Sequence, residues 1–113
     1  MDAITAQEIS KTIISQLGGN QFFAMTGSKV KYYAIENGNV TLTLKLTKNA
    51  VRANHLTVTL NASDTYDVQF LAVSPKGDVK VKCENNGIYC DQLRGLFESV
   101  TGLRTSLTRI YSI

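Results

Sequence analysis

The chain is short of everything that staples or kinks a fold: two cysteines, one proline and no tryptophan in 113 residues. Structural zinc takes four Cys or His ligands, and Cys83, Cys90 and the lone His55 do not supply them, so no metal or other cofactor is expected. No apolar run approaches the ~20 residues that span a bilayer, which excludes a membrane role through a helix. Charge of one sign is scarce too. Twelve Lys and Arg stand against nine Asp and Glu, a net +3, too small an excess to identify a nucleic-acid binder from composition. The first ten residues, MDAITAQEIS, hold neither a basic segment nor an apolar one, so no export signal is read there and a cytoplasmic location is expected. In that reducing compartment Cys83 and Cys90 are expected as free thiols.

What remains is a composition suited to one domain over residues 1–113, with 43% apolar and 19% charged residues. Thr5 and Glu8 have the spacing of a capping box. Ile9, Ile13 and Leu17 follow at helical intervals, and Gly18-Gly19 provides a left-handed stop, so the spacing predicts a helix over Ala6 to Leu17. The period then changes to two. Val40, Leu42, Leu44 and Leu46 alternate with Thr and Lys, as do Leu56, Val58 and Leu60, and Tyr66, Val68, Phe70 and Ala72. In DVKVKC the same alternation sends Val79, Val81 and Cys83 inward and Lys80 and Lys82 outward. Asn37-Gly38 is a strong hairpin signal, and the stretches 61–64 and 74–78 are further turns. Tyr89, Leu93, Leu96, Phe97 and Val100 form a second helical stripe, closed by Gly102. Residues 103–113, LRTSLTRIYSI, read as an extension or docking tail, with Leu103, Leu107, Ile110 and Tyr111 at helical spacing.

The fold class expected is α+β: an N-terminal helix, an antiparallel meander of about six strands, and a C-terminal helix, with both helices roofing one sheet face. The expected core is Ile9, Ile13, Leu17, Leu42, Leu44, Leu56, Val58, Val68, Phe70, Val81, Leu93 and Phe97.

Gly27-Ser28-Lys29 raises the question of a phosphate loop. The Walker pattern needs Gly-Lys-Ser/Thr between a strand and a helix, and here Ser precedes Lys and VKYYAI, a strand sequence, follows. The stretch is therefore read as a turn joining a strand over QFFAMT to a strand over KVKYYAI. Asp64 and Asp67, three apart, are read as a turn residue and a solvent-face residue rather than cation ligands. An enzyme would have to gather Asp67, His55 or Cys90 into one pocket. The basic residues are the candidate binding set. Lys29, Lys31, Lys45, Lys48, Arg52, Lys80 and Lys82, with Tyr33 to stack a base, would tile one exposed Thr/Lys face if their strands are neighbours. Ordinary edge protection is the competing explanation. The longest gap, residues 48–54, is the candidate functional loop.

Residues 17–29, LGGNQFFAMTGSK, resemble small proteins of bacteriophages and mobile elements that carry a Leu-Gly-Gly-Asn…Ala-Met-Thr-Gly block. NHLTVTLNASDTYDVQFL at 54–71 and GIYCDQLRGLFESVTGLRTSL at 87–107 are similar to the family's other two blocks, so the resemblance covers most of the chain. The family pattern ends soon after the position of Leu107, leaving TRIYSI as extra. The resemblance implies a mobile-element setting in a bacterial host cell and supplies no catalytic residue. With that setting and no credible active site in the sequence, the function expected is a non-enzymatic interaction protein acting on a host or phage protein complex, an inhibitor of a defence system such as a CRISPR nuclease being one form of it. The alternative is a nucleic-acid-binding module on the Thr/Lys face. A homodimer through a strand edge or the tail is left open by the sequence.

Overall fold

The computed structural model describes residues 3–105. Helix α1 spans Ala3–Leu17 and α2 spans Gly19–Thr26. Five strands follow, β1 (Lys29–Glu36), β2 (Asn39–Lys45), β3 (His55–Leu60), β4 (Tyr66–Val73) and β5 (Val79–Ile88). A 3-10 turn over Cys90–Gln92 leads into α3 (Leu93–Thr101). The strands lie in chain order, β1-β2-β3-β4-β5, every pair antiparallel. That is the α+β meander the alternation predicts, with five strands rather than six.

The missing strand is α2. QFFAMT has the aromatic content of a strand, but Phe22 and Thr26, four apart, are buried, and the Thr26 hydroxyl donates to the Phe22 carbonyl at 2.7 Å. Gly27 ends the helix in the left-handed region (φ 69°), its N–H donating to the Phe23 carbonyl. Gly27-Ser28 is thus a helix terminus followed by a strand, the reverse of the order a phosphate loop needs.

In α1 the buried stripe is Ala6, Ser10, Ile13 and Leu17, spaced four, seven and eleven, and Ile9 is only partly covered. Ser10 is tolerated there because its hydroxyl donates to the Ala6 carbonyl at 2.9 Å. The helix begins at Ala3, so Thr5 lies inside it and the Thr5–Glu8 capping box does not mark its start. Helix α3 buries Leu93 and Phe97, with Leu96 and Val100 against the core, and ends at Gly102 (φ 74°). Tyr89, expected on that stripe, precedes the 3-10 turn and is 61% exposed.

All three helices cover the sheet face that carries Leu42, Leu44, Leu56, Val58, Val68 and Phe70, each at most 1% exposed. The seam is aromatic: the Phe97 ring lies edge-on to Phe22 at 4.9 Å between centroids and 6.3 Å from Phe70. Tyr66 ties β4 to α1 by donating its hydroxyl to Gln16 Oε1. Beyond α3, Thr105 is fully buried, its N–H donating to Glu98 Oε2 at 2.9 Å, which holds the chain against α3 at that point. Leu107, Arg109, Ile110 and Tyr111 lie outside the described residues.

Candidate functional site

Among the described residues no helix lies on the sheet face away from the core, and the register of the strands determines which side chains stand on it. Its centre is a threonine ladder, Thr41 and Thr43 on β2 opposite Thr59 and Thr57 on β3. Thr41 and Thr59 share a hydrogen bond at 2.8 Å, which satisfies two hydroxyls without recourse to charge.

Two bulges change what the alternation predicts. In β1, Val30 pairs with Leu44 and Tyr32 with Thr43, leaving Lys31 as an extra residue. Tyr33 consequently pairs with Leu42 and lies on the helix side, while Tyr32 (53% exposed) takes the outer face. In β5, Cys83 pairs with Phe70 but Val81 pairs with Leu71, leaving Lys82 over. The half of β5 before the bulge is therefore inverted. Val81 (49% exposed) and Val79 (59% exposed) stand on the outer face against Leu71 and Val73, and Val81 is not a core residue. Lys80, paired with Ala72, is on the helix side.

The sequence-expected cationic surface is accordingly divided. Lys29 and Lys45 oppose each other on β1 and β2, with Lys31 nearby in its bulge. Lys80 and Lys82 are on β5, at the opposite edge of the sheet. Lys48 and Arg52 are exposed in the 46–54 loop, where Arg52 takes a left-handed conformation (φ 59°). That loop is a braced plug rather than a free lid. Asn49 Nδ2 donates to the carbonyls of Thr47 and Ala53, Ala53 is buried, and the Ala50 N–H donates to the Thr101 carbonyl at the end of α3.

His55 is the one titratable side chain among the described residues that is buried in the outer face, and its protonation state can be read from its neighbours. Asn54 Nδ2 donates to the Val73 carbonyl and the Val73 N–H donates to Asn54 Oδ1, both at 2.8 Å, which fixes the amide orientation. His55 Nδ1 lies 2.7 Å from that same oxygen, so Nδ1 carries the proton. The Nε2 lone pair is left to accept from the Lys31 ammonium at 3.1 Å. Burial, then the charges of Lys31 and Lys45, hold the imidazole pKa below its ordinary 6.5. Asn54 was not singled out by the sequence, because an Asn before a strand reads as a turn residue.

His55, Asp67 and Cys90 are not brought together. His55 opposes Leu71 and Asp67 opposes Thr59, four positions and roughly 13 Å further along β3. Asp67 accepts from Asn61 Nδ2 at 3.2 Å and from the Gly87 N–H at 3.3 Å, fastening a turn to β5. Cys90 is exposed on the 3-10 turn, and both cysteines are free thiols. Two open grooves flank the start of β1. One, of about 520 Å³, is lined by Phe23, Ala24, Gly27, Ser28, Lys29 and Val30. The other, of about 230 Å³, lies between Lys29, Lys45 and Thr47. Among the described residues no cluster of three His, Cys, Asp or Glu could hold a metal ion, and no helix is long and apolar enough to cross a membrane.

No protein-family model, no curated protein and no solved structure matches the chain.

Proposed function

We propose that the protein is a non-enzymatic interaction protein of a phage or mobile element, inhibiting a bacterial defence system such as a CRISPR nuclease. The observation that carries the reading is the inverted half of β5. It puts Val79 and Val81 beside Leu71 and Val73 on a face that no helix among the described residues covers, next to Lys82. An uncovered aliphatic patch with a charged rim, held on a braced sheet, is the form that protein docking surfaces take. The mobile-element setting comes from the resemblance of residues 17–29, 54–71 and 87–107.

The test is phage restriction. The protein is expressed in bacteria whose CRISPR nuclease targets an infecting phage, one nuclease type at a time. Restored plaquing with one type is expected, and Val79→Lys with Val81→Lys abolishes it while the thermal midpoint stays within a few degrees of the parent. Unchanged restriction across the nuclease types sinks the reading.

One observation favours a second reading, nucleic-acid binding. Lys29, Lys31 and Lys45 lie together at one end of the sheet, and Tyr32 stands exposed there with the Lys31 ammonium 6.0 Å from its ring centroid. Binding to labelled single- and double-stranded DNA and RNA, titrated with salt, tests it. A binding constant that does not fall with salt overturns it.

A further inference from the structure

Among the described residues nothing pairs with the outer edge of β1; that edge is complementary to itself, and we propose that the protein forms a two-fold symmetric dimer in which two β1 strands pair antiparallel across an axis through Tyr33. The Lys31 bulge sets which side chains share a face of β1. Eight consecutive residues in a regular strand would put Lys29 and Glu36 on opposite faces, since their separation is odd. With Lys31 outside the ladder, the remaining positions alternate as they stand. Lys29, Tyr32, Ala34 and Glu36 face outward, and Val30, Tyr33 and Ile35 face the helix side, as their partners on β2 require.

Reversing that row on itself about Tyr33 matches it position by position. Lys29 meets the second copy's Glu36, Val30 meets Ile35, and Tyr32 meets Ala34, each pair on one face. Tyr33 meets Tyr33 on the axis. Opposite charges and apolar pairs directly across an antiparallel ladder are the favourable combinations, and a self-complementary patch is what an isologous interface needs.

Three further observations point to a second copy as the occupant. Within its own sheet Lys29 faces Lys45, a like-charge pair that is unfavourable, and the second copy's Glu36 gives that site an acid. Val30, Tyr32, Tyr33 and Ile35 are between 39% and 53% exposed, a density of large side chains that an edge strand left to solvent usually avoids. The 520 Å³ groove between Phe23, Ala24 and Val30 opens next to the position the second copy's Ile35 takes. The opposite edge has no such match. Strand β5 is interrupted twice, at Lys82 and near Gly87, where β1 is interrupted once, so it offers a shorter regular run for pairing. Pairing of β1 with β1 closes after two copies, whereas β1 on β5 would run on as an open filament.

The dimer does not rest on the functional reading above, and its test is physical. Sedimentation of the full chain at high micromolar concentration is expected to give a dimer. Lys29→Glu puts Glu against Glu36 twice per dimer, and Glu36→Lys puts Lys against Lys29 twice, so each is expected to weaken association by about tenfold or more. The double variant Lys29→Glu/Glu36→Lys exchanges the charges and is expected to regain the dimer, a rescue that misfolding would not produce. Circular dichroism checks that each variant is folded. In a Cys83→Ser/Cys90→Ser background, Tyr33→Cys is expected to form an intermolecular disulfide under mild oxidant. A wild-type monomer, a dimer indifferent to both reversals, or a double variant that stays monomeric overturns the proposal.

Discussion

At His55 the chain commits a proton. Asn54 is locked by two backbone hydrogen bonds to Val73, so the imidazole has one tautomer available, and Lys31 occupies its other nitrogen. Burial and the two lysines favour the neutral ring. The folded pKa lies below 6.5 and the unfolded one at 6.5, so between these values the unfolded chain binds a proton that the folded chain refuses. The stabilisation is complete above pH 6.5 and is lost as pH falls through the folded value. Because His55 is the only histidine, its ring resonances in NMR report the site directly. The titration midpoint is expected below 6.5 and to rise in Lys31→Gln. A wild-type midpoint at or above 6.5 would contradict the network. Gly27 is the other residue with a determined outcome. Its φ is 69°, and a Cβ there would lie 2.9 Å from Thr47 Cγ2, whereas Gly38 (φ 79°) has open space. Gly27→Ala should lower stability by roughly 2 kcal/mol or more, from left-handed strain of about 1–2 kcal/mol plus the clash. Gly38→Ala should lose the strain alone. Urea midpoints at constant m separate the two.

Among the elements, strand pairing is where reading and structure part company, and the reason is the bulge. Leu42, Leu44, Leu56, Val58, Val68 and Phe70 were legible as core because a strand without irregularity keeps alternate side chains on one face. In Val79-Lys80-Val81-Lys82-Cys83 the alternation of types is unbroken, yet the extra residue sends Val81 and Cys83 to opposite faces. Nothing in the pattern of residue types records that. The same applies to Tyr33, which the Lys31 bulge moves to the helix side. Helix α2 was illegible for a different reason: eight residues hold two helical turns, too few for a period to show, and two adjacent phenylalanines favour a strand on propensity. Bulge residues are also spare residues. Deleting Lys82 leaves Cys83 inward and Val81 outward in an ordinary strand, so the variant should remain cooperative and within about 2 kcal/mol of the parent. Deleting Thr43 turns Leu42 or Leu44 out of the core and should prevent folding. Chemical denaturation of the two variants decides; a Lys82 deletion that unfolds would mean the bulge is required.

For the whole molecule, the sheet is the invariant and the helices are its lid. The strands follow chain order, so every pairing is a hairpin between sequence neighbours. The lid is different, since it joins α1 and α2 from the beginning of the chain to α3 from near its end, with Phe22, Phe70 and Phe97 meeting at the seam. Synthesis proceeds in one direction. The strand pairings need nothing beyond β5, whereas Phe70 has Phe97 of α3 as its ring neighbour, and Phe97 is made after all five strands. A nascent chain arrested after β5 would carry a finished platform with part of its oily side still bare, and that is the stage at which a chaperone has most to shield.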